Sequence, residues 1–215
     1  MKIFVVIPAF NEEKRVGKVL SEVNKSGLPF IVVDDGSKDK TSEVARRFTP
    51  HVFKHPINLG KGAALKTGCQ AAFQLGADAI IIMDSDGQHK ASDLPKFLKA
   101  LKSCDVIFGA RDFGKIPLMR LIGNRLITIV VNLLFGIKVR DILCGFKAFS
   151  KKSYEKIKWE SLGYSVESEI VAMTGKHKLS NCEVDVATVY YDKFKGLSFE
   201  QGFGIFFDII QFKLR

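Results

Sequence analysis

Ile3-Phe4-Val5-Val6-Ile7, the segment 16–23 and Phe30-Ile31-Val32-Val33 together decide the fold. Both runs are short, apolar and rich in β-branched or aromatic side chains, as strands buried on two faces require. Between them Val16, Val19, Leu20 and Val23 recur at i, i+3, i+4 and i+7, one apolar stripe on a helix that Gly27 and Pro29 bring to an end. Strand, helix, strand is a βαβ unit. The alternation continues, with strands expected at 79–83 and 106–108 and helices at 41–48, 63–75 and 93–101. The first 110 or so residues therefore predict a Rossmann-like, doubly wound, mostly parallel α/β sheet.

Beyond Arg111 the alternation weakens. A long apolar segment near 117–136 is followed by a strand over 145–149, a helix around 166–176 and strands near 183–191. There is no internal repeat and no linker rich in Pro, Gly or Ser, so the chain reads as one domain.

Of 215 residues, 47% are hydrophobic and 26% charged, enough for a sizeable core and unlike a disordered chain. Lys and Arg number 33 against 23 Asp and Glu, and the surplus of +10 favours anionic partners: phosphates, nucleic acid or acidic lipid headgroups. Cys69, Cys104, Cys144 and Cys182 form no CxxC pair, which speaks against a zinc cage or a tight disulfide framework and for a reducing cytoplasm. The apolar start, 3–7, is too short for a signal-peptide core. The apolar stretch from Leu126 to Ile137 is broken by Asn132 and falls short of the roughly 20 residues a bilayer span needs. The tail from Phe203 to Arg215 has two readings, a helix docked on the core or one lying on a membrane.

In an open α/β sheet ligands bind beyond the carboxyl ends of the strands. Strand one ends in Pro8-Ala9-Phe10-Asn11-Glu12, strand two in Val33-Asp34-Asp35-Gly36-Ser37, and the strand at 79–83 in Asp84-Ser85-Asp86-Gly87-Gln88-His89. The last presents two carboxylates and an amide, oxygen ligands suited to Mg²⁺ or Mn²⁺ with a diphosphate completing the shell, or else a solvated turn. Asp34 and Asp35 can accept hydrogen bonds from a nucleobase or ribose, and Asp35 or Ser37 can cap the helix at Thr41. Gly60-Lys61-Gly62 opens a helix like a phosphate cradle but has neither P-loop nor GxGxxG spacing.

In order, VIPAFNEE (6–13), VVDDGSKDKT (32–41), NLGKGAALKTG (58–68), MDSDGQH (83–89), GAR (109–111), RDILCGFKAF (140–149) and KFKGLS (193–198) resemble family-2 glycosyltransferases. The similarity is to the branch that moves mannose or glucose onto polyprenyl (dolichyl) phosphate, and it runs from about Lys2 to Ser198. It implies a GT-A fold in a single domain, 1–215, with a nucleotide-sugar-binding half (1–111), an acceptor-binding half (112–202) and an amphipathic tail (203–215). By resemblance, Pro8, Ala9, Asn11, Glu12, Val33, Asp34, Asp35, Lys61, Ser85 and Lys193 join Asp84 and Asp86 around the donor, GDP-mannose or UDP-glucose. Asp86 and Gln88, with Asp84, would hold Mg²⁺ or Mn²⁺. Arg111 and Arg125 match arginines used for the acceptor phosphate, which a planar guanidinium binds through two oxygens. Asp141 and Gly145-Phe146 match a D-x-x-x-G-F stretch in which Cys144 replaces the commoner Ser. The late basic motif, R-x-x-G-E-S-K in the family, keeps Lys193, Gly196 and Ser198 but lacks its Glu and final Lys. Membrane contact would then be peripheral, on the cytoplasmic face, through 121–137 and 203–214.

A lipid phosphate is anionic at neutral pH and needs no general base, so the resemblance implies one inverting, in-line displacement driven by positioning and charge. Asp86, Arg111, Arg125 and Asp141 form the implied catalytic set. A sugar-hydroxyl acceptor would need a base, for which Glu167, Glu169 and Asp141 are the candidates. A nucleic-acid-binding role fits poorly with cations dispersed in short pairs such as Arg46-Arg47 and Lys151-Lys152. A nucleotidyltransferase would carry a glycine-rich signature where Pro8 to Glu12 stand.

Overall fold

The computed structural model describes residues 1–112, 118–189 and 199–214. Seven strands form one sheet: β1 (Ile3–Ala9), β2 (Phe30–Asp34), β3 (Val52–Lys54), β4 (Ala79–Ile82), β5 (Val106–Arg111), β6 (Lys147–Ser150) and β7 (Asn181–Val186). They stand in the order β3-β2-β1-β4-β6-β5-β7. Every side chain of β1 and β2 is buried, as their unbroken apolar runs demand. Along β1 the faces alternate: Phe4 and Val6 pack on one side of the sheet, Val5 and Ile7 on the other.

The second side is covered by α1 (Val16–Asn24), α2 (Thr41–Ala45) and α4 (Leu94–Ala100), with Val16, Val19, Leu20 and Val23 all buried as their spacing predicts. The first side is covered by α3 (Lys61–Gln74), α5 (Leu118–Phe135), α6 (Lys151–Ile157), α7 (Val166–Lys176) and α8 (Phe199–Leu214). A 3-10 turn, Ala91–Asp93, leads into α4.

β1, β2, β3 and β4 run parallel, but β6 enters antiparallel between β4 and β5. The chain leaves β5 at its carboxyl end and returns to the sheet from that same rim, so Lys147, the first residue of β6, pairs with Ile82, the last residue of β4, and with Phe108 of β5. β3 and α6 escape a reading by periodicity because the first has three residues with exposed faces and the second only seven. β7 covers 181–186 rather than reaching 191, and Tyr190 and Tyr191 lie outside the described residues.

The cysteines do not all stay apart. Cys104 and Cys182 pair as a disulfide, their Cα atoms 6.1 Å apart, although 78 positions separate them in sequence. Parallel pairing of β5 with β7, which sets Ile107 against Cys182, brings them together. Cys69 and Cys144 are buried thiols.

The tail resolves into two faces of one helix. In α8, Ile209 and Phe212 are buried in the core, whereas Phe207, Ile210 and Leu214 are 63%, 41% and 82% exposed. α5 repeats the pattern, with Leu126, Ile129 and Leu133 exposed and Val131 and Phe135 buried. Among the described residues no helix is long and apolar enough to cross a membrane.

Candidate active site

The carboxyl ends of β1, β2, β4 and β5 and the start of β6 form one rim. At the end of β1, the backbone carbonyl of Ala9 accepts from Asp35 N at 2.8 Å, joining the loops that follow β1 and β2. Asn11 adopts φ +54, a left-handed conformation that Asn tolerates. There its Oδ1 accepts from Lys38 N at 3.0 Å and its N–H donates to Ser37 Oγ at 2.8 Å. Glu12 is buried, its N–H on Thr41 Oγ1 at 2.8 Å and its Oε2 3.3 Å from Arg15. Pro8, Ala9 and Val33 are buried strand residues beneath these loops.

Asp34 and Asp35, expected against base or ribose, already carry internal partners. Asp34 is fully buried; it accepts from Ser37 N at 2.8 Å and from Ser42 Oγ, and Lys54 Nζ lies 3.7 Å away. Asp35 Oδ1 accepts from Leu59 N and meets His55 Nδ1 at 2.7 Å, while Oδ2 accepts from Gly60 N at 2.8 Å. Both carboxylates thus build the walls of the rim. The helix start expected to be capped by Asp35 or Ser37 is held instead by Asp39, which accepts from Thr41 N at 3.0 Å.

The Gly60-Lys61-Gly62 loop is likewise filled from within. The N–H groups of Gly62 and Ala63 donate to the Leu162 carbonyl, at 2.6 and 3.2 Å, where a phosphate cradle would leave them for a ligand. A Cβ on Gly62 would stand 2.0 Å from Ser161 O, so glycine is what admits the 161–162 backbone. Trp159 Nε1 closes the seat on Gly62 O at 2.9 Å.

Asp84, directly after β4, is the centre of the charged cluster. Its Oδ1 lies 2.6 Å from Lys61 Nζ, and the same ammonium donates to Glu167 Oε1 at 2.5 Å. Its Oδ2 lies 3.9 Å from His89 Nε2 and against Gly145, where a Cβ would meet it at 2.1 Å. Burial opposes the charge on Asp84, but Lys61 above all, then His89 and Lys147, hold its carboxyl below the usual range. Burial also opposes the charge on Lys61, which Asp84 and Glu167 push up well beyond an ordinary lysine. Asp86 responds the other way: burial and the charge of Asp84 raise it to about 6. Its Oδ1 accepts from Gln88 N at 2.9 Å, and buried Ser85 lies between the two aspartates. Burial drives His89 down to about 4, so its ring is neutral at pH 7.

Asp86, which the charge of Asp84 raises, lies beside Asp84 on one loop, and the two carboxylates fit a divalent cation that takes one or two carboxylates and fills its shell with phosphate and water. It does not form an all-protein cage: among the described residues no three His, Cys, Asp or Glu side chains gather around one point. Beside Asp86 and Gly87 a cavity of about 750 Å³ opens between α1 and the segment 90–98, with Lys14, Arg15, Lys18 and Lys90 in its wall.

Arg111 and Asp141, expected as separate catalytic groups, form one unit. Arg111 Nε and Nη2 donate to Asp141 Oδ2 and Oδ1 at 2.6 and 3.0 Å, and Asp141 is 1% exposed. Both oxygens of Asp141 are thus engaged by the Arg111 guanidinium at the end of β5. Arg125 lies on the exposed face of α5 and has no ion pair among the described residues. Glu169 accepts from the backbone N–H groups of Glu160 and Ser161 at 3.0 and 2.9 Å. Lys193 lies outside the described residues.

Lys147 escaped the sequence reading as a site residue, while Gly145, read there as part of a matched stretch, and Glu167, read there as a possible base, have structural parts it did not give them. Lys147 is buried, its ammonium donating to the carbonyls of Ile142 and Cys144, and desolvation lowers its pKa. Its signal was a lone cation in the apolar run Phe146-Lys147-Ala148-Phe149. Gly145 gives Asp84 its room, and Glu167 meets Lys61 across 106 positions, which no local pattern reveals.

A crevice at the rim of an α/β sheet, walled by aspartates and backed by arginine and lysine, goes with a GT-A fold. The chain belongs to Glycosyl transferase family 2, whose model matches residues 4–158. An uncharacterized protein of Methanocaldococcus jannaschii is 38% identical, the match covering 99% of this chain and 93% of the relative. The UDP-N-acetylglucosamine–dolichyl-phosphate N-acetylglucosaminyltransferase of Methanococcus voltae is 31% identical over 99% of this chain and 96% of its own. Glucosyl-3-phosphoglycerate synthase from Mycobacterium tuberculosis, solved with Mg²⁺ and UDP, superposes with a TM-score of 0.77 at 18% identity, over 98% of this chain and 78% of that one.

Proposed function

We propose that this family-2 glycosyltransferase moves a hexose or N-acetylhexosamine from a nucleotide diphosphate sugar to a polyprenyl phosphate, with inversion. The observation that carries the acceptor class is that the three carboxylates named as candidate general bases are each engaged: Asp141 by Arg111, Glu167 by Lys61, and Glu169 by two backbone N–H groups. An acceptor that arrives already anionic needs no base. The name of the M. voltae relative supports the same class and widens the donor beyond GDP-mannose and UDP-glucose to UDP-N-acetylglucosamine.

In this reading Asp86 and Gln88, with Asp84, hold Mg²⁺ or Mn²⁺, which supplies positive charge to the diphosphate as it leaves. Arg111, held by Asp141, and Arg125, from α5, meet the acceptor phosphate, a ligand suited to guanidinium groups. The walls formed by Asp34, Asp35 and Asn11 set the depth at which the nucleotide sits. Catalysis then rests on alignment and charge, which can supply about 7–11 kcal/mol through orientation alone.

The exposed stripes Leu126, Ile129, Leu133 and Phe207, Ile210, Leu214, each spaced i, i+3 (or i+4) and beyond on helices that pack together, serve as the peripheral seat on a lipid surface. The test incubates the protein with Mn²⁺, a polyprenyl phosphate and, in turn, radiolabelled UDP-N-acetylglucosamine, UDP-glucose and GDP-mannose. Label in the organic phase with one donor is expected. A second reading, a small phosphorylated acceptor, follows the name of the M. tuberculosis synthase; label appearing on 3-phosphoglycerate and not on lipid would favour it.

A further inference from the structure

The cluster around Asp84 holds a cation of its own. Lys61 Nζ sits between Asp84 Oδ1, at 2.6 Å, and Glu167 Oε1, at 2.5 Å, with only 14% of the lysine side chain exposed. The other oxygen of Asp84 is enclosed by Gly145 and His89. Oδ1 is the oxygen the ammonium covers, and Glu167 from α7 gives that ammonium a second contact at a like distance. Among the described residues, no lysine lies within ion-pair distance of Asp86, the neighbouring carboxylate. Two near-equivalent seats for one flexible four-carbon side chain are what a local exchange of cations requires.

We propose that Lys61 is an internal placeholder cation, covering Asp84 while no divalent ion is present and shifting onto Glu167 when such an ion takes that oxygen. The idea rests on the metal reading above and adds to it a role for Glu167, whose part is to receive the lysine. It explains why a half-buried and a buried carboxylate from distant parts of the chain share one ammonium, because either alone would neutralise it. It also links the two halves of the molecule: metal binding beside β4 pulls Lys61 toward α7, in the half that carries the acceptor.

The test measures Mn²⁺ binding directly, from the electron paramagnetic resonance of free Mn²⁺, and thermal stability with EDTA or with excess Mn²⁺. It uses the full chain, as wild type, Lys61→Met and Glu167→Gln, with and without UDP. Lys61→Met removes the competitor, so Mn²⁺ should bind on the order of tenfold more tightly, the size of one charge-assisted contact, and the rise in Tm on adding Mn²⁺ should exceed that of wild type. Glu167→Gln removes the receiving seat and leaves the lysine on Asp84, so Mn²⁺ affinity should fall by a similar factor. The opposite signs separate this role from a structural one, which would shift Tm equally with and without metal. If Lys61→Met does not fold, the loss of affinity in Glu167→Gln carries the test alone. Equal Mn²⁺ affinity in wild type and variants, with transfer intact in wild type, overturns the placeholder and leaves the enzyme reading standing. No Mn²⁺ binding by wild type even with UDP overturns the metal site and the placeholder together.

Discussion

Gly145→Ala probes the site at its tightest point. A Cβ at 145 would stand 2.1 Å from Asp84 Oδ2, 2.8 Å from its Cγ and 2.9 Å from its Oδ1, whereas ordinary contact begins near 3.4 Å. The carboxylate must therefore retreat by about 1 Å, and the ion pair at 2.6 Å from Lys61 resists that movement. A displacement of about 1 Å at a positioned group lowers a rate by about a hundredfold, or about 2.7 kcal/mol in transition-state stabilisation. Forcing a methyl group into a filled site costs about 1–3 kcal/mol of stability. For a chain of this size that is a fall in Tm of about 2–12 °C, at about 2–4 °C per kcal/mol. The assay is kcat/KM for transfer, alongside differential scanning fluorimetry and Mn²⁺ affinity. Transfer within twofold of wild type at an unchanged Tm would refute the reasoning, because Asp84 would then have no need of its place against residue 145.

Asp86→Asn should abolish detectable transfer and weaken Mn²⁺-dependent UDP binding by tenfold or more, without lowering Tm, since it relieves the repulsion from Asp84; isothermal titration and fluorimetry read both. Without metal, the stability contributed by His89, lowered from 6.5 to about 4, is present above pH 6.5 and lost as pH falls toward 4. Asp86, raised from 3.8 to about 6, works oppositely, its contribution complete below pH 3.8 and lost as pH rises through 6. A Tm profile over pH 4–7 should thus fall more steeply on acidification in Asp86→Asn than in wild type, and less steeply in His89→Gln. Asp141→Asn should lower Tm, because breaking a buried ion pair costs about 3–5 kcal/mol; lost transfer at unchanged Tm would instead make Asp141 a base. Leu133→Glu with Ile210→Glu should abolish co-sedimentation with anionic vesicles while sparing transfer to a short, detergent-solubilised acceptor.

The parallel half of the sheet was legible because its signals are local. Val16, Val19, Leu20 and Val23 mark a helix face within eight residues, and the β1 and β2 runs mark strands buried on both sides. The carboxylates were legible for the same reason, each following an apolar run. What was hidden depends on distance in the chain. Nothing near residue 61 announces Glu167, nothing near Asp34 says that Ser42 and Lys54 will occupy it, and nothing near Cys104 points to Cys182. The antiparallel entry of β6 follows from where the chain returns after α5, a matter of topology rather than of composition. The glycines of the Gly60-Lys61-Gly62 loop looked like ligand contacts, yet a second backbone, at 161–162, occupies the space they leave.

The most direct measurement is a diffraction experiment at the manganese edge on crystals grown with Mn²⁺ and UDP. The account predicts one anomalous peak between the diphosphate and Asp86, with Gln88 beside it. A peak away from residues 84–88, or UDP bound elsewhere than the rim formed by β1, β2 and β4, would contradict it.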